Sequence, residues 1–214
     1  MDEEITIIDA NTRNEKIKKF FIDNKKNFII GISLIILGLV GYFSFDQVRE
    51  RNQIKLANEF NFTTINYKKD KEKITIKKLI YIINKKDTTY SPLALYFLLD
   101  NDLIESNVEI NKLFDILINE TNLDKEIKNL TIYKKALFNS NFITENNLLK
   151  ILNPIINSES IWKSHALYLL AEYFYSKNER EKAKEFYNEI LILPNSNSDV
   201  KIESQKRLNR DFSE

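Results

Sequence analysis

The chain has 214 residues, 32 basic and 31 acidic side chains, one histidine and no cysteine. Near-neutral charge leaves no basic field to attract nucleic acid. The lack of cysteine excludes disulfides, thiolate chemistry and Cys-ligated metals, and a single histidine cannot build a His-based metal site.

In chain order, residues 1–27 come first, with an acidic start and a Lys-rich, aromatic stretch, NEKIKKFFIDNKKNF. Lys26 and Asp46 then bracket nineteen uncharged residues, of which Phe28 to Phe45 read FIIGISLIILGLVGYFSF. Eighteen helical residues span about 27 Å, the thickness of a bilayer's hydrocarbon core. Twelve of them are Phe, Ile, Leu or Val, which favours insertion by on the order of 4–7 kcal/mol. Phe20, Phe21 and Phe28 on one side and Tyr42, Phe43 and Phe45 on the other suit the headgroup level. A cleaved signal peptide fits less well: the leading segment is long and mixed in charge, and the bulky residues after Gly41 offer no cleavage site. A buried helix of a soluble domain fits less well too, since the run is apolar on all faces. Residues 28–45 are therefore expected to form a transmembrane helix.

Arg13, Lys16, Lys18, Lys19, Lys25 and Lys26 precede this helix, whereas Arg49, Arg51 and Lys55 are the basic residues in the twenty positions after it. The bias predicts a cytoplasmic N-terminus, with residues 46–214 across the membrane. Gly31, Gly38 and Gly41 are the only glycines. They are candidates for packing against another membrane helix, because small residues permit close approach in lipid. Gly is also ordinarily abundant in membrane helices, and the spacing is not G-x-x-x-G.

Residues 46–214 hold no glycine and three prolines, which argues against a strand-rich fold. Apolar residues recur at three and four, the helical period. Ile54, Ala57, Phe60 and Thr64 form one face, and a second helix covers Ile74 to Ile83. Ser91-Pro92 reads as an N-cap and first helical position for a buried helix over Leu93 to Leu99. Leu113, Phe114, Leu117 and Ile118 mark a further helix. Ile127, Leu130, Tyr133, Leu137 and Phe138 mark the next, followed by Leu148, Leu149 and Leu152. The last pair, Ala166 to Tyr175 and Glu181 to Leu191, carries the signature of the tetratricopeptide repeat, a helix–turn–helix of about 34 residues. Leu167, Leu170, Ala171, Phe174, Ala183 and Tyr187 occupy its packing positions, and Ser176 to Glu179 form the turn. Small residues at Ala171 and Ala183 let the helices approach, while Phe174 and Tyr187 fill the space around them. A shift of thirty-four positions aligns Tyr133, Ala136, Leu137, Leu149 and Ile156 with Leu167, Leu170, Ala171, Ala183 and Ile190. A third unit, around Ala94, Phe97, Leu98 and Ile110, needs a shift of thirty-six. The charged segment from Asp199 to Phe212 suits a solvating cap helix. The expected class is all-α: one N-terminal transmembrane helix, then a tetratricopeptide-like repeat domain.

Taken together, NEKIKKFFIDNKKNF, the glycine-containing membrane helix, TTYSPLALYFLL and IWKSHALYLLAEYFYSKNEREKAKEFYNEILILP resemble the ancillary SecYEG translocon subunit (YfgM-like) family across nearly the whole chain. The resemblance implies a bacterial inner-membrane protein with a periplasmic repeat domain. It further implies association with the Sec translocon and with a membrane-anchored chaperone, in aid of exported proteins. An envelope scaffold for cell division or outer-membrane assembly is the alternative.

The sequence points to no catalysis and no cofactor. With glycine confined to the membrane helix, neither a P-loop nor a dinucleotide-binding fingerprint is possible. His165 and Trp162 read as boundary and packing residues at a helix start. Glu179, Glu181 and Glu185 beside Lys177, Lys182 and Lys184 read as a solvated face with local ion pairs. Tyr168, Tyr173 and Tyr175 suit either a peptide groove or, more readily, core packing.

Overall fold

The computed structural model describes residue 13 and residues 15–212. Every regular element among them is helical, as an all-α chain requires. Residues 1–12 and 14, within the expected cytoplasmic segment, lie outside the described residues. Two compact units divide between Lys55 and Leu56.

In the first unit, residues 15–23 are helical and Asn24 interrupts the assignment. The Asn24 amide donates to the Phe20 carbonyl at 3.0 Å, and the Phe20 and Phe21 rings meet Phe28 at 6.0 and 4.8 Å. Helix α1 follows, Lys25–Ile65, 41 residues long. At about 1.5 Å per residue it is roughly twice as long as a hydrocarbon core is thick. None of its apolar window is buried; Leu37, for instance, is 66% exposed. One N-terminal helix is thus long and apolar enough to cross a membrane. A Cβ added at Gly31, Gly38 or Gly41 would meet nothing within 4 Å, so within this chain the glycines relieve no crowding.

The second unit begins in the last turns of α1. Leu56 and Phe60 pack on the core and Thr63 is buried; Ile54, placed on this face by its spacing, is exposed. Helix α2 (Glu72–Asn84) buries Leu79, Ile82 and Ile83. Helix α3 (Tyr90–Asp100) starts before the position expected from Ser91-Pro92. The cap comes from Asp87, whose carboxylate accepts the Thr89 and Tyr90 N–H groups at 2.9 and 2.7 Å. Ser91 is instead buried inside the helix and donates to the Ile82 carbonyl at 2.8 Å, tying α3 to the end of α2. Helix α4 (Asn107–Asp115) is capped by Ser106 and runs into a π-helical turn, Ile116–Glu120. Helices α5 (Lys125–Asn139), α6 (Glu145–Ile156), α7 (Lys163–Ser176), α8 (Arg180–Ile192) and α9 (Ser198–Asp211) complete the unit.

Each of α5 to α8 packs on the next, α8 packs on α9, and α5–α7 and α7–α9 contacts skip one helix. Stacking of this kind buries a continuous core along a row of helix pairs. One apolar cluster joins the end of α1 to α4 and a second joins α5 to α9, with Ile118 against both.

Burial corrects the repeat register. The thirty-four-residue shift pairs buried Ala171 with Leu137, which is 48% exposed. A shift of thirty-five instead pairs buried with buried: Ile132 with Leu167, Ala136 with Ala171, Leu148 with Ala183, Leu152 with Tyr187 and Ile155 with Ile190. The earlier unit needs thirty-eight, not thirty-six: Ala94 with Ile132, Leu98 with Ala136, Ile110 with Leu148, Phe114 with Leu152. A further unit precedes it at thirty-five, with Thr63 matching Leu98, Leu79 matching Phe114 and Ile82 matching Leu117. Buried Ser91, Asn129 and Ser164 then fall at one position. Nine residues separate Ile82 from Ser91 and Ile155 from Ser164, but twelve separate Leu117 from Asn129. The three extra residues fall in the stretch that holds the π turn, a form that often marks an insertion into a regular helix.

Helix ends that ordinarily need glycine in the left-handed region are closed without it. Lys86, Asp102 and Asn178 have φ of 55°, 51° and 64°, after α2, α3 and α7. At Asn178 the Glu179 N–H returns to the Phe174 carbonyl at 2.9 Å, a Schellman closure. Asparagine and aspartate tolerate this conformation through short polar side chains; lysine has no such help.

Candidate functional site

The last helix pair brings the signature residues together. Leu167, Leu170, Ala171 and Phe174 on α7 and Ala183 and Tyr187 on α8 are all buried to within 1%. Phe174 stacks on Phe186 at 5.5 Å, and Tyr187 meets Tyr168 at 5.8 Å. This is a packing centre, with one polar line through it. The Tyr187 hydroxyl donates to Glu172 at 2.5 Å, and Arg207 of α9 donates to the other oxygen of the same carboxylate. Arg207 also reaches Asp211 at 3.2 Å. Burial, reinforced by the Glu172 carboxylate, pushes the Tyr187 hydroxyl well above the usual tyrosine range. The Arg210 hydrogen bond, with Arg207 adding to it against partial desolvation, holds Asp211 down to about 2. Phe212 closes the end against Tyr175 and Tyr187 at 5.8 and 5.9 Å. The polar line fastens the cap helix to α7 and α8.

Tyr168, Tyr173 and Tyr175 take packing places, the more readily expected of their two roles. Tyr173 is buried and its hydroxyl donates to the Ile143 carbonyl at 3.2 Å. Tyr168 packs on Tyr187, and Tyr175 lies between Phe212 and the Arg207 guanidinium, which is 5.4 Å from its ring centre. Lys182 pairs with Glu179 at 2.7 Å, as a local helix pair, and also with Glu145 of α6 at 3.0 Å.

Trp162 precedes α7 and stacks on Tyr133 of α5 at 6.1 Å. His165 completes the cluster, 5.2 Å from Trp162 and 5.9 Å from Tyr133. Its Nδ1 is buried without a hydrogen-bond partner, and desolvation lowers its pKa. Among the described residues no three His, Asp or Glu side chains are gathered to hold a metal.

An open concave feature of this unit lies elsewhere. A groove of roughly 330 Å³ runs between the α3–α4 connection and α5. Leu99, Ile104, Leu137 and Phe138 give it apolar walls, and Asp100 and Asp102 stand at its lip. The left-handed backbone at Asp102 lets the Leu103 N–H close on the Leu98 carbonyl at 3.0 Å, which fixes that lip. Lys134 also lines the groove, with its ammonium 4.6 Å from the Tyr96 ring centre. The helical period places Leu137 on a core face, whereas its exposure marks the groove. Compared with family models, with curated proteins and with solved structures, the chain matches none.

Proposed function

We propose that this chain is a membrane-tethered protein-interaction module, an ancillary subunit of the Sec translocon that helps exported proteins reach periplasmic chaperones. The observation that carries the reading is the joining of an exposed apolar helix within Lys25–Ile65 to an array of helix pairs. Arrays of this type present extended surfaces to protein partners. The resemblance in the order of parts supplies the translocon and the membrane-anchored chaperone as partners. The excess of Lys and Arg before the apolar stretch supports a cytoplasmic N-terminus and a periplasmic array, in a bacterial inner membrane. The packing centre of the last pair serves structure, so binding falls to the outer surfaces. In-membrane crosslinking with mass spectrometry tests the partners: translocon or chaperone subunits are the expected products. Protease treatment of intact spheroplasts tests the topology, with digestion of the helical unit expected and full protection contradicting it.

A further inference from the structure

We infer that the groove between the α3–α4 connection and α5 receives an apolar peptide segment flanked by basic residues. The proposal rests on the reading of this unit as a protein-binding module and names its ligand class and its site. The apolar walls include Leu137, 48% exposed, which is unfavourable in water and covered when a peptide side chain enters. The volume holds two or three aliphatic side chains rather than a folded domain. Charge selects among apolar segments. Asp100, Asp102, Glu105 and Glu109 follow one another with no basic residue between them. All four are exposed, and none forms an ion pair among the described residues. Some acids elsewhere in this unit do find cations: Glu120 pairs with Lys86, Asp115 with Lys135 and Glu145 with Lys182. Lys134, the one basic residue of the lining, has its ammonium against the Tyr96 ring. The lip is therefore acidic in a chain that is nearly neutral, and it complements Lys or Arg on either side of an apolar core. An acidic segment meets like charge there, which rejects it.

The test uses the full chain in nanodiscs and a dye-labelled peptide with a Leu-Ile core and two lysines at each end. Two control peptides keep the core with glutamates at the ends, or keep the lysines with a Ser-Gly core. Fluorescence polarisation should show saturable binding of the Lys-flanked apolar peptide alone, weakened by salt. Leu137→Glu, a change at an exposed position, should abolish it while circular dichroism stays unchanged. Paired D100N and D102N changes should weaken it by about three- to tenfold, the sum of two exposed charge contacts. Absence of binding, binding unaffected by Leu137→Glu, or equal binding of the Glu-flanked peptide overturns the proposal. The assay contains no translocon, so lost translocon crosslinks with intact peptide binding would contradict the functional reading alone.

Discussion

The Tyr187 hydroxyl and the Glu172 carboxylate lie 2.5 Å apart across the contact of α7 and α8, and Arg207 completes the line from α9. Three helices are thus joined through one carboxylate inside the last repeat pair. Tyr187→Phe keeps the ring packing and removes the donor. It should lower stability by about 1–2 kcal/mol, the range for a hydrogen bond to a charged group. Urea denaturation of the full chain in detergent, followed by helix ellipticity, measures it.

Ala171 and Ala183 are wholly buried where α7 and α8 meet. Enlarging either to leucine pushes the helices apart and should cost about 1–3 kcal/mol or more. Ala136, at the matching place in the preceding unit, should behave alike, whereas Leu137→Ala should change stability little because that side chain is half exposed. The contrast between neighbours at 136 and 137 checks the thirty-five-residue register against the thirty-four-residue one.

Lys86 holds a left-handed backbone with φ 55° after α2. Its ion pair with Glu120 is exposed on both sides, 45% and 51%, and contributes little. Lys86→Gly relieves the steric conflict of a Cβ in that region, at the cost of a freer unfolded chain. The net should be a gain of about 0.5–1 kcal/mol, read as a rise in the denaturation midpoint.

Acid should weaken the second unit in two stages. Desolvation lowers the folded pKa of His165, so its neutral form is preferred in the native state. Its contribution is present above the ordinary histidine value of about 6.5 and is lost as pH falls through the lower folded value. Asp211, held at about 2 by Arg210 and Arg207, contributes above the ordinary aspartate value of about 3.9 and loses that contribution toward pH 2. Denaturation midpoints between pH 8 and pH 2 measure both. His165→Phe should flatten the first decline and Asp211→Asn the second.

Gly38 touches nothing within 4 Å of an added Cβ. Gly38→Leu should therefore leave the helix content and stability of the isolated chain unchanged. If the glycines serve a partner helix, the same change should diminish crosslinks formed within the membrane.

How much the residues reveal in advance depends on how their chemistry marks the buried side. The last pair was legible because small, aromatic and charged residues alternate sharply around Ala171 and Ala183. The middle unit was not, because Leu137 and Leu149 are as apolar as Leu148 and Leu152, and only packing separates them. The first repeat was hidden for a different reason. Its helices were legible, but Thr63 and Thr75 take buried places that elsewhere hold Leu98 and Ile110, so they did not line up with the later repeats. The turns were obscured by the absence of glycine, since Lys86 and Asp102 do not signal a left-handed residue as glycine does. The groove required knowledge of which leucine remained uncovered, and periodicity carries no such information.

The proposed function makes the array a binding module held at the membrane beside the export machinery. Crosslinking in native membranes, from a photoreactive residue placed at Leu137, tests it most directly. The expected adducts are with translocon or membrane-anchored chaperone subunits, or with exported chains in transit, and they are lost in a chain lacking residues 28–45. Adducts confined to cytoplasmic proteins, or an adduct pattern unchanged without the apolar helix, would contradict it.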